Sequence, residues 1–117
     1  MITTQCDIIY AADDATFGLP EIKIGTIPGA GGTQRLTRAL GKYKAMEFIL
    51  TGESATGKEF ERLGLVTKVF PRDQVIGEAL KLAERIAAKS APVAQLAKQA
   101  ILSGECTSTS KLSSSLL

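Results

Sequence analysis

"FGLPEIKIGTIPGAGGTQRL" runs from Phe17 to Leu36, and the rest of the chain is best read outward from it. Pro20-Glu21 leads through an apolar, strand-like run, Ile22-Lys23-Ile24, to the small residues Gly29-Ala30-Gly31-Gly32. Thr33 or the glycine before it should then open a helix. Ile22, Ile24 and Ile27 imply apolar walls around a single carboxylate, Glu21. The first amides of a helix have no intrahelical partner, and glycines leave them without Cβ obstruction. Amides so exposed can hold a water or a developing negative charge. On the residues alone two plainer readings stay open: a solvated loop charge at Glu21, and a tight turn that uses glycine for positive φ.

Outward from this stretch the punctuation is clear. Upstream, "DIIYAA", Asp7 to Ala12, reads as a buried strand, Asp13 to Ala15 as a turn, and Phe17-Gly18 as a brief strand stopped by Pro20. Downstream, the helix from Thr33 should reach Leu40 and stop at Gly41, and a second from Tyr43 to Leu50 should end at Thr51-Gly52. Thr56 and Glu59 have capping-box spacing for a third helix, closed by Gly64. "LVTKVF", Leu65 to Phe70, alternates as a strand and is cut by Pro71. Asp73 should cap the longest helix, whose Val75, Ile76, Ala79, Leu80, Ala83, Ile86 and Ala87 form one apolar stripe. Ser90 and Pro92 start a last helix to about Leu102. Residues 103–117, Ser/Thr-rich and low in complexity, are expected to form a disordered tail.

Composition removes several classes of function. A length of 117 residues fits one small domain, and 44% hydrophobic with 22% charged residues is ordinary for a globular chain. A net charge of +2, with no stacking aromatics among the basic residues, argues against a nucleic-acid partner. The chain has no histidine, which excludes Ser-His and Cys-His nucleophiles, His-ligated zinc and an imidazole base. Cys6 and Cys106 fit neither a disulfide framework nor a zinc spacing, and Cys6 and Tyr10 are expected to pack in the first strand. No apolar run is long enough to span a membrane, and Met1 to Gln5 has no signal-peptide character.

Two phosphate-loop patterns fail on inspection. "GESATGKE", Gly52 to Glu59, matches a P-loop until Glu59 takes the place of the magnesium-binding hydroxyl. "GAGGTQ" has Gln34 where a dinucleotide fingerprint needs its third glycine. Lys23, Arg35, Arg38, Lys42 and Lys44 read as a solvated surface rather than a phosphate cradle.

Three segments together carry a resemblance: "CDIIYA" from Cys6, "FGLPEIKIGTIPGAGGTQRLTRALG" from Phe17, and "AMEFILTGESATGKEFERLGLVTKVFP" from Ala45. They resemble the enoyl-CoA hydratases of the crotonase superfamily from about Cys6 to about Leu102. The Pro-Glu and Pro-Gly-x-Gly-Gly-Thr-x-Arg-Leu block is unbroken. The resemblance implies an α/β fold: a partial crotonase-like ββα spiral over residues 1–102, mostly helical in its C-terminal part, with a few short strands. It also implies an acyl-CoA thioester substrate, no metal or separate cofactor (CoA being part of the substrate), no membrane partner, and a homo-oligomer, trimer or hexamer, for the intact family protein. By position, Glu21 resembles the hydratase glutamate that exchanges a proton at the carbon next to the thioester. Gly29 matches the glycine whose amide holds the reacting water. The implied reaction is reversible syn hydration of a trans-2-enoyl-CoA to a 3-hydroxyacyl-CoA, a step of fatty-acid β-oxidation.

The resemblance also marks departures. The family's other catalytic glutamate would fall at Met1, and its two oxyanion-hole amides belong to a preceding half that these residues do not match. The chain reads as a middle-to-late piece, lacking the N-terminal half and the C-terminal end, and is expected to be weak or inactive alone. Apolar surface on the first strand and on the helical stripe should then be exposed. Two alternatives accompany the hydratase reading: an enoyl-CoA isomerase of the same superfamily, and a non-enzymatic fragment that associates with crotonase subunits. The parent enzyme is expected in mitochondria, and the chain in the cytoplasm if complete as given.

Overall fold

A computed structural model describes residues 5–107 of the chain. In chain order it contains β1 (Tyr10–Ala12), β2 (Thr16–Gly18), a 3-10 turn (Pro20–Ile24), α1 (Gly32–Leu40), α2 (Lys42–Thr51), β3 (Ser54–Thr56), α3 (Gly57–Arg62), β4 (Lys68–Phe70), α4 (Val75–Ala87) and α5 (Ala91–Thr107). This is the expected α/β fold of short strands and a mostly helical C-terminal part. The chain divides into two compact units, Met1–Ala79 and Leu80–Leu117, with the division inside α4.

The first unit has two small sheets. β1 and β4 pair in parallel, with Tyr10 opposite Lys68, Ala11 opposite Val69 and Ala12 opposite Phe70. β2 and β3 pair antiparallel, with Phe17 opposite Ala55 and Gly18 opposite Ser54. A Cβ on Gly18 would collide with Ser54 Oγ, so this register needs a glycine there. Both outer strands are shorter than expected, since residues 7–9 and 65–67 lie outside the ladder. They are nonetheless tethered: Thr67 N donates to Ile9 O at 2.8 Å, and Leu65 N and Val66 N both donate to Phe60 O.

Phe60 and Val66 are the largest fully buried side chains. The Phe60 ring meets Phe48 at 5.0 Å and Phe17 edge-on at 5.9 Å, joining α3, α2 and β2. Ala11, Leu19, Leu36, Ala45 and Ala55 complete the buried cluster. α1 and α2 follow the sequence signals closely: Gly41 separates them, and Gly52 ends α2 in a left-handed conformation. Thr56 caps α3 as its spacing predicts, its side chain accepting from Glu59 N at 3.3 Å.

Four expectations need correction. Ile22-Lys23-Ile24 is not strand-like but part of a 3-10 turn, because Pro20 fixes φ at its start and left-handed Gly25 closes it. α4 begins at Val75, after a turn in which Gln74 N donates to Pro71 O, and at 13 residues it is shorter than α5 with 17. α5 extends through Thr107, five residues past the expected end, so residues 103–107 are helical; residues 108–117 lie outside the described residues. Cys6 is exposed ahead of β1 rather than packed in it, whereas Tyr10 packs against Phe70 at 5.1 Å.

The apolar stripe of α4 does stay exposed. The helix buries none of its residues, and Ile76, Leu80 and Ile86 are all open to solvent. Ile8, just before β1, is exposed as well, although Ala11 within the strand is buried. No described helix is long and apolar enough to cross a membrane.

Candidate active site

Glu21 is the second residue of the Pro20–Ile24 turn. Leu19, buried at 5% exposure with φ −125° and ψ 79°, anchors the entry to this turn. At the exit Gly25 adopts φ 75°, and its N–H donates to Ile22 O at 3.1 Å while Thr26 N donates to Glu21 O at 3.2 Å. The backbone around Glu21 is therefore held by the buried Leu19 before it and by local hydrogen bonding after it.

The side chain is the unusual part. Glu21 is partly buried, and its Oε2 is buried without any hydrogen-bond partner, the only such side-chain atom among the described residues. A carboxyl oxygen buried without a partner costs free energy that folding ordinarily avoids. Ile22, Ile24 and Ile27 are 37%, 80% and 77% exposed, so the expected apolar walls are not built from them within this chain.

Gly29 to Gly32 form a tight turn rather than an irregular loop. Gly32 N donates to Gly29 O at 2.9 Å, and the two central residues, Ala30 and Gly31, have φ of 48° and 73°. Positive φ at both central positions is the signature of a type I′ turn, and for Ala30 it is strained. The turn delivers the chain into α1, whose N-cap Gly31 makes no side-chain hydrogen bond, while Arg35 N donates to Gly31 O in the first helical turn. Gly29 itself is exposed, and a Cβ there would meet nothing within 4 Å. Its glycine is thus not demanded by any neighbour among the described residues. Glu21 and Gly29 thus lie on consecutive turns of one continuous segment.

Other groups take the bland roles expected of them. Lys23, Arg35, Arg38, Lys42 and Lys44 are exposed. Lys44 pairs with Glu47 at 2.8 Å; the hydrogen bond first and the charge second hold its ammonium above the ordinary value. Gly52 to Glu59 forms a helix end, the short strand β3 and a capped helix start. No group of three His, Cys, Asp or Glu side chains suited to a metal occurs among the described residues. A shallow cavity of about 410 Å³ is lined by Asp13, Lys58, Glu61, Val69, Phe70 and Pro71, and Glu21 is not part of it.

The family model described as enoyl-CoA hydratase/isomerase matches residues 1–112. The chain belongs to the enoyl-CoA hydratase/isomerase family. It is 54% identical over 100 residues to a probable mitochondrial enoyl-CoA hydratase of Dictyostelium discoideum, covering 86% of this chain and 36% of that protein. It is 49% identical over 100 residues to a mitochondrial enoyl-CoA hydratase of Pongo abelii, with 86% and 34% covered. The crystal structure of an enoyl-CoA hydratase from Bacillus anthracis superposes with a TM-score of 0.84 at 42% identity, over 86% of this chain and 39% of that one. The chain therefore spans well under half the length of the relatives it matches.

Proposed function

We propose that this chain carries the glutamate-bearing part of an enoyl-CoA hydratase site, one that adds water reversibly and syn across a trans-2-enoyl-CoA to give a 3-hydroxyacyl-CoA. The observation behind this reading is the buried, unpartnered Oε2 of Glu21 on a turn immediately ahead of the Gly29 amide. Family membership supplies the substrate class, an acyl-CoA thioester.

The roles divide as follows. Glu21 is the general acid that delivers a proton to the carbon next to the thioester during hydration and removes it in the reverse direction. The Gly29 N–H donates to the water whose oxygen bonds to the next carbon along. A carboxyl group whose oxygen lacks an internal partner is available for this transfer without first breaking a hydrogen bond. The reaction also needs donors for the thioester oxygen, and losing one such donor costs roughly a hundred- to a thousandfold in rate. The resemblance assigns these donors, and a second acid, to a part of the family's length that the 117 residues do not match. Turnover by these residues alone is accordingly expected to be small.

The same reading includes the family's trimer or pair of trimers, which sedimentation of the protein would test. The mitochondrial names of the Dictyostelium and Pongo relatives support a mitochondrial setting for the parent enzyme.

The test is hydration of a short trans-2-enoyl-CoA at high protein concentration, beside Glu21→Gln, with products identified chromatographically. A 3-hydroxyacyl-CoA formed by the parent sequence and lost in the variant supports the proposal. Turnover that survives Glu21→Gln unchanged removes Glu21 from the chemistry, and a shifted double bond without water uptake identifies an isomerase instead.

A further inference from the structure

Gly52 is buried and left-handed, with φ +65°, where α2 ends and its N–H donates to Phe48 O at 3.0 Å. The conformation alone would explain a glycine, as it does at Gly25, Gly41 and Gly64, where an added Cβ would meet nothing within 4 Å. Gly52 differs. A Cβ there would lie 2.9 Å from Ile22 Cγ2 and 3.1 Å from both Cγ and Cε of Lys23. Lys23 is a flexible stem and can swing aside. The Ile22 methyl branches directly from Cβ and has no such freedom. Its backbone belongs to the residue after Glu21, inside a turn already fixed by Leu19 on one side and Gly25 on the other.

We infer that Gly52 is a positioning residue for the Glu21 carboxylate: the bare backbone at the end of α2 is the surface on which Ile22 rests, and this contact sets the rotation of the Pro20–Ile24 turn. A side chain at Gly52 displaces Ile22, and the displacement passes to Glu21 through one peptide unit. The functional consequence rests on the proposed role of Glu21, but the contact can be tested without it.

The experiment compares Gly52→Ala with Gly64→Ala in the full chain. Both place alanine at a left-handed glycine, so both incur backbone strain, but only Gly52→Ala meets Ile22. The readout is the carbon-13 shift of the Glu21 carboxyl carbon at one fixed pH, assigned by its loss in Glu21→Gln, together with the melting temperature. Both variants should melt lower than the parent. Only Gly52→Ala should move or split the Glu21 signal, and adding Ile22→Ala should return it toward its original position. An unmoved signal in a folded Gly52→Ala overturns the inference, as does a moved one that Ile22→Ala fails to restore. Should Gly52→Ala not fold, the inference requires Gly52→Ala with Ile22→Ala to fold. If that double variant stays unfolded while Gly64→Ala folds, the Ile22 contact is not what the glycine serves. None of these results depends on turnover, so a failure of the hydratase reading would be seen separately, in the assay with Glu21→Gln.

Discussion

The carboxylate of Glu61, on α3, accepts a hydrogen bond at 3.1 Å from the backbone amide of Val69, eight residues later in β4. β4 has only three residues and, among the described residues, one strand partner, so its other edge has no neighbouring strand. A side chain from α3 takes the place of a neighbouring strand and ties the helix to the β1–β4 pair. Replacing Glu61 with Ala leaves a part-buried amide without its charged acceptor. We expect a loss of about 1.5–3 kcal/mol in denaturant unfolding, with Glu61→Gln losing less.

Phe60 joins three elements through its contacts with Phe48 and Phe17, and it is 2% exposed. Phe60→Ala should cost about 3–5 kcal/mol, a large share of the total stability of a chain this size. The measurement is the urea midpoint by circular dichroism; Phe60→Leu should retain a cooperative transition. A near-wild-type midpoint in Phe60→Ala would show that the aromatic cluster is not the organising core.

Two glycines should respond to alanine with opposite signs. At Gly18 a Cβ collides with Ser54 Oγ and approaches Glu53 O at 3.1 Å, so Gly18→Ala should lower the melting temperature. Ser54→Gly should recover part of the loss. At Gly77, in the first turns of α4, a Cβ meets nothing within 4 Å, and Gly77→Ala should stabilise by about 0.5–1 kcal/mol through helix propensity.

Thr56→Ala removes the acceptor for Glu59 N at the start of α3. The bond is long, so the expected loss lies near the low end of the range for N-caps, about 0.5–1 kcal/mol. Thr56→Ser should restore it.

The Lys44–Glu47 pair predicts a pH dependence. Its hydrogen bond and charge raise the Lys44 ammonium above 10.5 in the folded chain. A raised folded value means the contribution is fully present below the unfolded value and is lost as pH climbs through the folded one. The stability difference between the parent and Lys44→Met should therefore hold steady from neutral pH to 10.5 and close above it. The pair is solvent-exposed, so added salt should narrow the same difference at neutral pH.

Much of this molecule was legible in one dimension, and where it was not the reason is physical. Helix ends are local events: Gly41, Gly52 and Thr56 terminate or cap helices through their own backbone and side-chain chemistry, and α1, α2 and α3 lie where those residues place them. Glu21 and Gly29 stood out because a Pro-Glu pair and a glycine run form one contiguous block. Strand length and pairing were less legible. β3, Ser54–Thr56, has little intrinsic strand character and exists because Phe17 and Gly18 lie beside it. The alternating Ile22-Lys23-Ile24 looked extended, yet Pro20, Gly25 and the contact with Gly52 hold it in a 3-10 turn. The sequence by itself determined the family and the boundaries of α1, α2 and α3, and singled out Glu21 as a candidate, because each is written in neighbouring residues. Only the tertiary structure decided that Ile22 lies against Gly52, that the Glu21 Oε2 is buried without a partner, and that β1 pairs with β4. Those relations join residues far apart in the chain, and their energies exist only once the backbone between them has folded.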